Sequence, residues 1–349
     1  MTQINAETGA RVRRVTIVDV AQHAGVSTAS ASKVLRNAYG VSEAMKQRVQ
    51  ASMDALGYRP HRPARGMRGR TFTLGLLVSD IENPFFSLIA DGITSVVRSQ
   101  GYELLISPGG YDAGSQNAVI DALIDHQMDA LVLIGPVVTG ADLERIAGEI
   151  PLVVVGRHSR SAALDSVSGD DELGSALVVD HLVALGHRRI AFVANQQDSL
   201  EPDRPESVRL AGFVEAMARH GLAESAMVVD SRWSLTGGHE AARVIAETAE
   251  AVTAVFAGAD VTAFGIMSEL WERGLRVPDA YSLAGYDNSR MTSIGPIDLT
   301  TVDQSGFEMG ETAGRLALER IGGRTESRHV LLRPRLILRS TTRSVAAGG

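Results

Sequence analysis

The sequence lacks cysteine and has no long apolar run. Its 349 residues contain no cysteine, which excludes disulfide bonds, cysteine-ligated zinc and a thiol nucleophile. No stretch approaches the roughly 18 uninterrupted apolar residues of a membrane helix, and the first residues, MTQINAETGARVRR, lack the apolar core of a secretory signal. We therefore expect a soluble, cytoplasmic protein of two or three domains that does not contact a membrane.

The sequence motifs of common enzymes are missing too. G-x-x-x-x-G-K-[ST], G-x-G-x-x-G and G-x-S-x-G do not occur in the sequence. The segment HEAAR approaches the zinc motif H-E-x-x-H, but Arg243 stands where the second histidine ligand would be. We therefore predict no catalytic residue, no metal and no cofactor, and we do not expect an enzyme.

Positive charge is scarce in most of the chain and concentrated at its start. Residues 1–70 hold 12 basic and 4 acidic side chains, a net charge of +8, whereas residues 71–349 hold 22 basic and 37 acidic side chains, a net charge of −15. A basic segment on an acidic body is typical of a protein whose one end binds a polyanion. A solvated basic tail would give the same count, so charge alone does not decide.

The pattern within the basic segment favours a DNA-binding fold. Thr16 and Asp19 form a capping-box signal, and the apolar residues that follow recur at helical spacing until Gly25. Ser27 can begin a second short helix, and Ser42 a third that ends at Gly57. Two short helices joined by the tight Ala24-Gly25-Val26 turn predict a helix-turn-helix, whose second helix can enter a major groove.

The rest of the chain alternates between strand-like and helix-like segments, which predicts parallel sheets covered by helices. We predict two α/β lobes, with ligand binding at the carboxyl ends of the strands. The predicted strands are 73–79, 102–107, 130–135, 151–156, 189–194, 227–230, 252–258 and 281–287. The predicted helices lie near 86–100, 113–127, 170–186, 205–220, 236–249 and 261–274.

Several motifs together resemble one family. DVAQHAGVSTASASKVL, NPFF (83–86), LGHRRIAFVAN (185–195), RLAGF (209–213) and GYDN (285–288) occur in the order found in the lactose-repressor (LacI) family of bacterial transcription regulators. The resemblance covers roughly residues 15–343. It implies an N-terminal all-α helix-turn-helix headpiece and a two-lobed α/β effector domain like the periplasmic binding proteins.

The resemblance also implies domain boundaries. We expect a flexible arm at 1–14, the helix-turn-helix domain at 15–59, a hinge at 60–71, the effector domain at 72–343 and a tail at 344–349. The chain would cross between the lobes near 160–168, 289–296 and 324–329. One lobe would then comprise about 72–163 and 296–325, and the other about 164–295 and 326–343.

By the same resemblance, a set of residues in the headpiece and hinge would contact DNA: Thr16, Ser27, Thr28, Ala29, Ser30, Lys33, Arg36, Arg65 and Met67. Serine hydroxyls suit phosphate oxygens, and Lys33 can reach guanine. The family usually has arginine where Lys33 stands, and a lysine cannot make the forked contact that an arginine makes. Met67 stands where the family's hinge inserts an apolar wedge into the minor groove.

The expected effector site follows from the family in the same way, and its residues are Asp80, Phe85, Phe86, Arg209, Trp233, Asp260 and Asp287. Phe86 could stack on a ring, Arg209 could grip hydroxyls or a carboxylate, and Asp287 could accept from adjacent hydroxyls. The alternatives are that Phe86 is a core aromatic and that Asp287 is a turn-capping residue. The family often has Asn-Asp where this chain has Ala259-Asp260, so one common sugar contact is missing.

We therefore predict a homodimer that binds a near-palindromic, double-stranded operator and whose affinity is controlled by a small effector, most simply a carbohydrate. The segment after Arg343 has no leucine heptad, which favours a dimer over a coiled-coil tetramer. A sugar-binding module without a DNA function and a sugar-modifying enzyme are the alternatives from other classes. The first leaves the basic headpiece unexplained, and the second has no catalytic constellation.

Overall fold

The computed structural model describes residues 15–35, 39–58, 70–195, 201–248 and 252–345. The chain divides into two units, Met1–Phe72 and Thr73–Gly349. None of the described helices is long and apolar enough to cross a membrane.

The first unit contains α1 (Ile17–Ala24), α2 (Thr28–Leu35) and α3 (Glu43–Leu56). Thr16 caps α1 as the sequence predicts: its amide donates to Asp19 Oδ2 at 2.7 Å, and its hydroxyl accepts from the Asp19 amide. Gly25 ends α1 with a φ of 65°, a conformation that glycine adopts without strain. Val20, Ala31 and Val49 bring the three helices together in one small buried core.

The first lobe of the second unit is built on a parallel sheet with the strand order β11-β5-β4-β3-β1-β2. The strands are β1 (Thr73–Val78), β2 (Glu103–Pro108), β3 (Ala130–Ile134), β4 (Leu152–Val155), β5 (Asp165–Gly169) and β11 (His329–Leu332). The helices of this lobe are α4 (Pro84–Val97), α5 (Ala113–Asp125), α6 (Gly140–Glu149) and α11 (Gly306–Ile321). Leucine, isoleucine and valine fill the core beneath the central strands.

The second lobe has a sheet with the strand order β12-β10-β9-β8-β6-β7. Its strands are β6 (Ile190–Ala194), β7 (Ala226–Asp230), β8 (Ala254–Ala257), β9 (Ser282–Tyr286), β10 (Thr300–Asp303) and β12 (Arg335–Ile337). Its helices are α7 (Asp171–Ala184), α8 (Pro205–Arg219), α9 (Leu235–Glu247) and α10 (Asp260–Glu272). All its strands are parallel except β12, which is antiparallel to β10.

The chain crosses between the lobes later than the sequence predicts. The crossings follow β5 at Asp170, β10 at Gln304 and β11 at Arg333, rather than near 160–168, 289–296 and 324–329. The predicted lobe boundaries of 72–163 with 296–325 and 164–295 with 326–343 are therefore wrong. Strands β5 and β11 belong to the first lobe, and β10 belongs to the second.

Each crossing leaves a sheet at its carboxyl edge. Strand β11 runs parallel to its neighbour β5, and after two intervening residues the chain enters the second sheet as the antiparallel strand β12. A chain that continues from one sheet into another and reverses its sense relative to the strands must enter the second sheet from its carboxyl edge. The carboxyl edges of the two sheets therefore face each other, and this is where parallel α/β folds bind ligands.

Helices α4 and α11 contact each other through their backbones. A Cβ atom on Gly92 would lie 2.1 Å from the carbonyl oxygen of Phe307, and one on Gly310 would lie 2.1 Å from that of Ile89. No side chain other than hydrogen fits at either position, so these glycines set the distance between the two helices.

Candidate functional site

Helix α2 and the residue before it carry five of the residues that are predicted to face DNA. Ser27, Thr28, Ala29 and Lys33 are exposed, and Ser30 is half-buried. Ser27 Oγ accepts from the Ser30 amide at 3.1 Å and lies 2.9 Å from Ser30 Oγ. Ser27 therefore caps α2 and keeps its hydroxyl at the exposed end of the helix. Arg36, Arg65 and Met67 lie outside the described residues.

A cavity lies between the facing carboxyl edges of the two sheets. Its space free of atoms, including the part open to solvent, is about 880 Å³. Both lobes form its walls. The first lobe contributes Asp80, Asn83, Phe85, Phe86 and Tyr111, and the second contributes Arg204, Glu206, Arg209, Arg232, Trp233 and Asp287.

Asp80 organises the wall of the first lobe. Its Oδ1 accepts from the amides of Glu82 and Asn83 at 2.6 and 2.9 Å, and its Oδ2 accepts from the hydroxyl of Tyr111. Burial and the neighbouring Asp80 carboxylate raise the pKa of Tyr111. Both Asp80 oxygens are therefore engaged, and the Tyr111 hydroxyl stays protonated and fixed.

The two phenylalanines of NPFF differ in their surroundings. Phe85 is buried, and its ring packs so closely on Gly306 that a Cβ atom there would lie 2.5 Å from it. Phe86 lines the cavity and is half-buried, so its ring can contact a ligand. Asn83 Oδ1 accepts from the Phe85 amide at 3.0 Å and so fixes the start of α4.

Arg209 lines the cavity but is held by the protein. It is 5% exposed. Its Nε donates to Asp171 Oδ1 at 2.7 Å and its Nη1 donates to the carbonyl of Gly258 at 2.7 Å. Its Cζ lies 3.8 Å from the centre of the Tyr286 ring and 4.9 Å from that of Trp233. Burial alone would raise the pKa of Asp171, but Arg209 and His158 together outweigh burial and lower that pKa. Arg209 is thus a buried ion-pair partner as well as a cavity residue.

Asp287 and Trp233 complete the wall of the second lobe. Asp287 follows β9 with a φ of 122°, a strained conformation of the kind that clusters at functional sites. Its Oδ1 accepts from Gln304 Nε2 at 2.6 Å, and burial raises its pKa. The Trp233 ring packs on Gly258, and its Nε1 donates to the carbonyl of Val193 at 3.1 Å.

Asp260 does not line the cavity, contrary to the expectation that it contacts the effector. It is fully buried, and it accepts from the Thr301 hydroxyl at 2.6 Å and from the Ser289 amide at 2.8 Å. The prediction is wrong because this side chain turns inward to join α10 to β10. Its neighbour Ala259 lines the cavity instead.

The sequence did not single out several residues of the cavity wall. They are Asn83, Tyr111, Arg204, Glu206, Arg232 and Gln304. Three of them stand just after a strand: Tyr111 after β2, Arg232 after β7 and Gln304 after β10. The rule that ligands bind at the carboxyl ends of parallel strands would have marked these positions.

A buried arginine joins the lobes beside the cavity. Arg157 follows β4 and is 1% exposed. Its Nη1 donates to the carbonyl of Val138 at 2.6 Å, its Nε donates to Asp203 Oδ2 at 2.9 Å, and its Nη2 donates to Glu201. The two acids belong to the second lobe and lie within three residues before Arg204. This ion pair therefore fixes the cavity-lining start of α8 against the first lobe.

The histidine of the HEAAR segment lies in a network of ion pairs. His239 Nδ1 is 3.1 Å from Glu269 Oε2, and Arg243 donates to both oxygens of Glu269 at 3.0 and 3.1 Å. Hydrogen bonds from Arg243 and Arg273 lower the pKa of Glu269 to about 2. His239, Glu269 and Glu272 are close enough to hold a metal ion, but an ion there would have to displace an arginine from Glu269.

A helix-turn-helix unit and a two-lobed α/β unit with a cavity between its lobes define a ligand-responsive DNA-binding regulator. Residues 16–61 match the protein family described as "Bacterial regulatory proteins, lacI family", and residues 179–342 match the family described as "Periplasmic binding protein-like domain". The chain belongs to the LacI family of bacterial transcription regulators.

Curated relatives match over nearly the whole chain. The HTH-type transcriptional repressor PurR of Vibrio parahaemolyticus is 32% identical over 340 residues, which are 95% of this chain and 99% of the relative. The repressor CytR of Escherichia coli is 31% identical over 339 residues, 95% of this chain and 97% of the relative.

Solved structures agree with the sequence relatives. The lac repressor dimer bound to its operator and an anti-inducer has a TM-score of 0.78 and 26% identity, covering 95% of this chain and 100% of that one. A LacI family regulator from Enterococcus faecium with bound ribose has a TM-score of 0.68 and 30% identity, covering 78% of this chain and 99% of that one.

Proposed function

We propose that this protein represses transcription as a homodimer on a near-palindromic operator, and that a small carbohydrate-like effector in the interlobe cavity controls its affinity for DNA. The observation that carries this proposal is the cavity, whose walls come from both lobes. A ligand that contacts both walls would favour the arrangement of the two lobes in which both walls reach it, and such a difference in affinity is what an effector needs in order to shift an equilibrium. Bound ribose in one relative supports the carbohydrate class.

The DNA half of the proposal rests on α2. Its exposed amino end would present Ser27 and Thr28 to phosphates, and Lys33, in its last turn, would reach a base edge. The proposal keeps Arg36, Arg65 and Met67 as further DNA contacts, with Met67 as the minor-groove wedge of the hinge. Two copies would place two such helices in successive half-sites.

The experiment is a mobility shift of the protein's own promoter DNA, with and without candidate sugars. Because the basic segment would neutralise several phosphates, operator affinity should fall by orders of magnitude as salt rises from about 50 to 200 mM. A flat plot of log affinity against log salt would contradict the DNA-binding proposal.

Lys33→Gln tests the base contact in the same assay. We expect it to weaken specific binding by about 1–3 kcal/mol. Lys46→Gln is the matched control, since this lysine lies on α3 and pairs with Glu43 at 2.7 Å. If the two variants lose the same affinity, the orientation proposed for α2 is wrong.

A further inference from the structure

Most charged side chains of the cavity wall are paired with other groups of the protein. Arg204 pairs with Glu206 at 3.3 Å, and Arg209 pairs with Asp171 at 2.7 Å. Asp80 accepts three hydrogen bonds, and Asp287 accepts one from Gln304. Among the described residues, each of these groups has a polar partner within the protein.

Arg232 is the exception among the charged residues of the cavity wall. It is exposed and lines the cavity from the second lobe. Its Cζ lies 4.7 Å from the centre of the Tyr111 ring, but its guanidinium has no hydrogen bond or ion pair with a described residue. An arginine fork carries donors that match a carboxylate or a phosphate. Among the described residues of the cavity wall, the charge without a partner is therefore the positive charge of Arg232.

A second group of the same wall, a carboxylate oxygen of Glu206, lacks a hydrogen-bond donor among the described residues. Glu206 Oε1 pairs with Arg204, but its Oε2 is buried and accepts no hydrogen bond from the described residues. A buried acceptor without a donor is costly, and a ligand hydroxyl would supply that donor. Because Arg204 offsets the charge of Glu206, this oxygen would not repel an acid bound nearby.

Both groups lie on the same side of the cavity. Glu206 is in the first turn of α8, the helix that joins β6 to β7, and Arg232 directly follows β7. One molecule can therefore meet both groups if it carries hydroxyls and an acidic group. Phe86 and Trp233 line the same cavity and offer aromatic rings of the kind on which sugar rings stack.

We propose that the effector is a small polyhydroxylated acid, whose anionic group binds Arg232 and one of whose hydroxyls donates to Glu206. This proposal rests on the function proposed above and narrows its effector class. The anionic group can be a carboxylate, as in an aldonate or a uronate, or a phosphate ester, and both match the arginine fork.

The test is calorimetric titration of the full-length protein without DNA. One panel contains the neutral sugars ribose, glucose and galactose. A second contains gluconate, galactonate, glucuronate and galacturonate, and a third contains the phosphate monoesters of ribose and glucose. We expect a member of the second or third panel to bind at least about tenfold more tightly than its neutral counterpart, and the panel concerned identifies the acidic group. The proposal is overturned if neutral sugars bind as tightly as the acids or if no panel binds.

Arg232→Gln separates a ligand contact from a structural one. Loss of one charged hydrogen-bond partner should weaken binding of the acid by about ten- to a hundredfold and should leave the neutral sugar within about twofold. Arg276→Gln is the matched control, because Arg276 also stacks on an aromatic ring, Trp271, at 3.6 Å but does not line the cavity. If Arg232→Gln loses the same affinity for the acid and for the neutral sugar, Arg232 only stabilises the cavity wall through its contact with Tyr111. That result would overturn the proposal.

The two proposals can fail separately. Operator binding of the ligand-free wild type tests the repressor function without any effector, whereas the titrations test the effector class without DNA. A protein that binds gluconate through Arg232 but does not bind operator would retain this inference and lose the repressor.

Discussion

Both lobes are built on a six-stranded sheet. In each lobe the first five strands along the chain are arranged in the same spatial order, β5-β4-β3-β1-β2 in the first and β10-β9-β8-β6-β7 in the second. The lobes differ in the side chains that they contribute to the cavity. The first lobe contributes one charged side chain, Asp80, which is held by its own loop. The second lobe contributes Arg204, Glu206, Arg209, Arg232 and Asp287. One topology thus supports a mostly neutral, aromatic wall on one side and a charged wall on the other. Ligand chemistry is therefore set by the residues after the strands rather than by the fold.

The largest effect is expected from removing the buried arginine of the charged wall. Arg209→Ala leaves Asp171, which is 1% exposed, with His158 at 2.8 Å as its charged partner, and breaking a buried ion pair by removing one partner costs about 3–5 kcal/mol. Chemical denaturation should therefore show a large loss of stability together with weaker effector binding. Arg219→Ala is the control on the same helix, because its pair with Asp180 is exposed and contributes about 0–1 kcal/mol. If both variants are equally stable, the Arg209–Asp171 pair does not hold the wall.

A smaller effect is expected where the lobes meet. Arg157→Gln removes a buried guanidinium, but its partners Glu201 and Asp203 are about a third exposed and can rehydrate. We expect a loss of about 1–3 kcal/mol, and a weaker effector response because Arg204 and Glu206 lose their anchor to the first lobe. Arg145→Gln, which affects an exposed pair with Glu149, should change neither quantity. Normal effector binding by Arg157→Gln would show that the start of α8 is positioned without this ion pair.

The third comparison concerns the pH dependence of stability, to which the two lobes should contribute with opposite sign. In the second lobe, burial raises the pKa of Asp260, so the folded protein holds a proton that the unfolded chain releases above an ordinary aspartate pKa of about 3.9. Stability from this site therefore falls as pH rises above about 4. Asp260→Asn keeps an acceptor for the Ser289 amide and places an amide donor opposite Thr301, whose hydroxyl would then accept. It should flatten that slope by up to about 1.4 kcal/mol per pH unit.

Asp165 in the first lobe is the counterpart. Burial would raise its pKa, but hydrogen bonds from Arg324 and Arg320 outweigh burial and lower it. Its contribution is therefore present above pH about 4 and is lost as pH falls below that value. Asp165→Asn should lower the free energy of unfolding at neutral pH. In a plot of that free energy against pH, measured by denaturation, it should reduce the slope only below pH about 4. If both variants change the same limb, the contrast between the lobes is wrong.

The sequence predicted the elements whose cores are apolar. The runs that became β1–β4 and β6–β9 are rich in valine, leucine, isoleucine and alanine, and hydrophobic pattern suffices for them. It missed α6, α11, β11 and β12, and it also failed for β5, DSVSG, and for β10, TTVD, which are buried although they are largely polar. Their side chains are satisfied by distant partners, such as Arg320 and Arg324 on Asp165. No local pattern reports such partners, so the lobe boundaries were misplaced.

The candidate site was predictable to the extent that motifs carry it. The family motifs led to Phe86, Arg209 and Asp287, all of which line the cavity, and also to Asp260, which does not. Arg232 and Glu206 belong to no such motif, and their importance appears only when each charge of the cavity is matched with its partner in three dimensions.

The glycine contact between α4 and α11 has a consequence for anyone who wishes to stabilise this protein. Replacing a helical glycine by alanine is a standard design choice, because it gains up to about 1 kcal/mol of helix propensity. At Gly148, near the end of α6, the added methyl group meets open space and the choice is sound. At Gly92 and Gly310 the methyl would meet a carbonyl oxygen at 2.1 Å, so the same substitution would force the helices apart. A ranking of mutations by helix propensity would therefore place the most damaging replacements beside the most useful one.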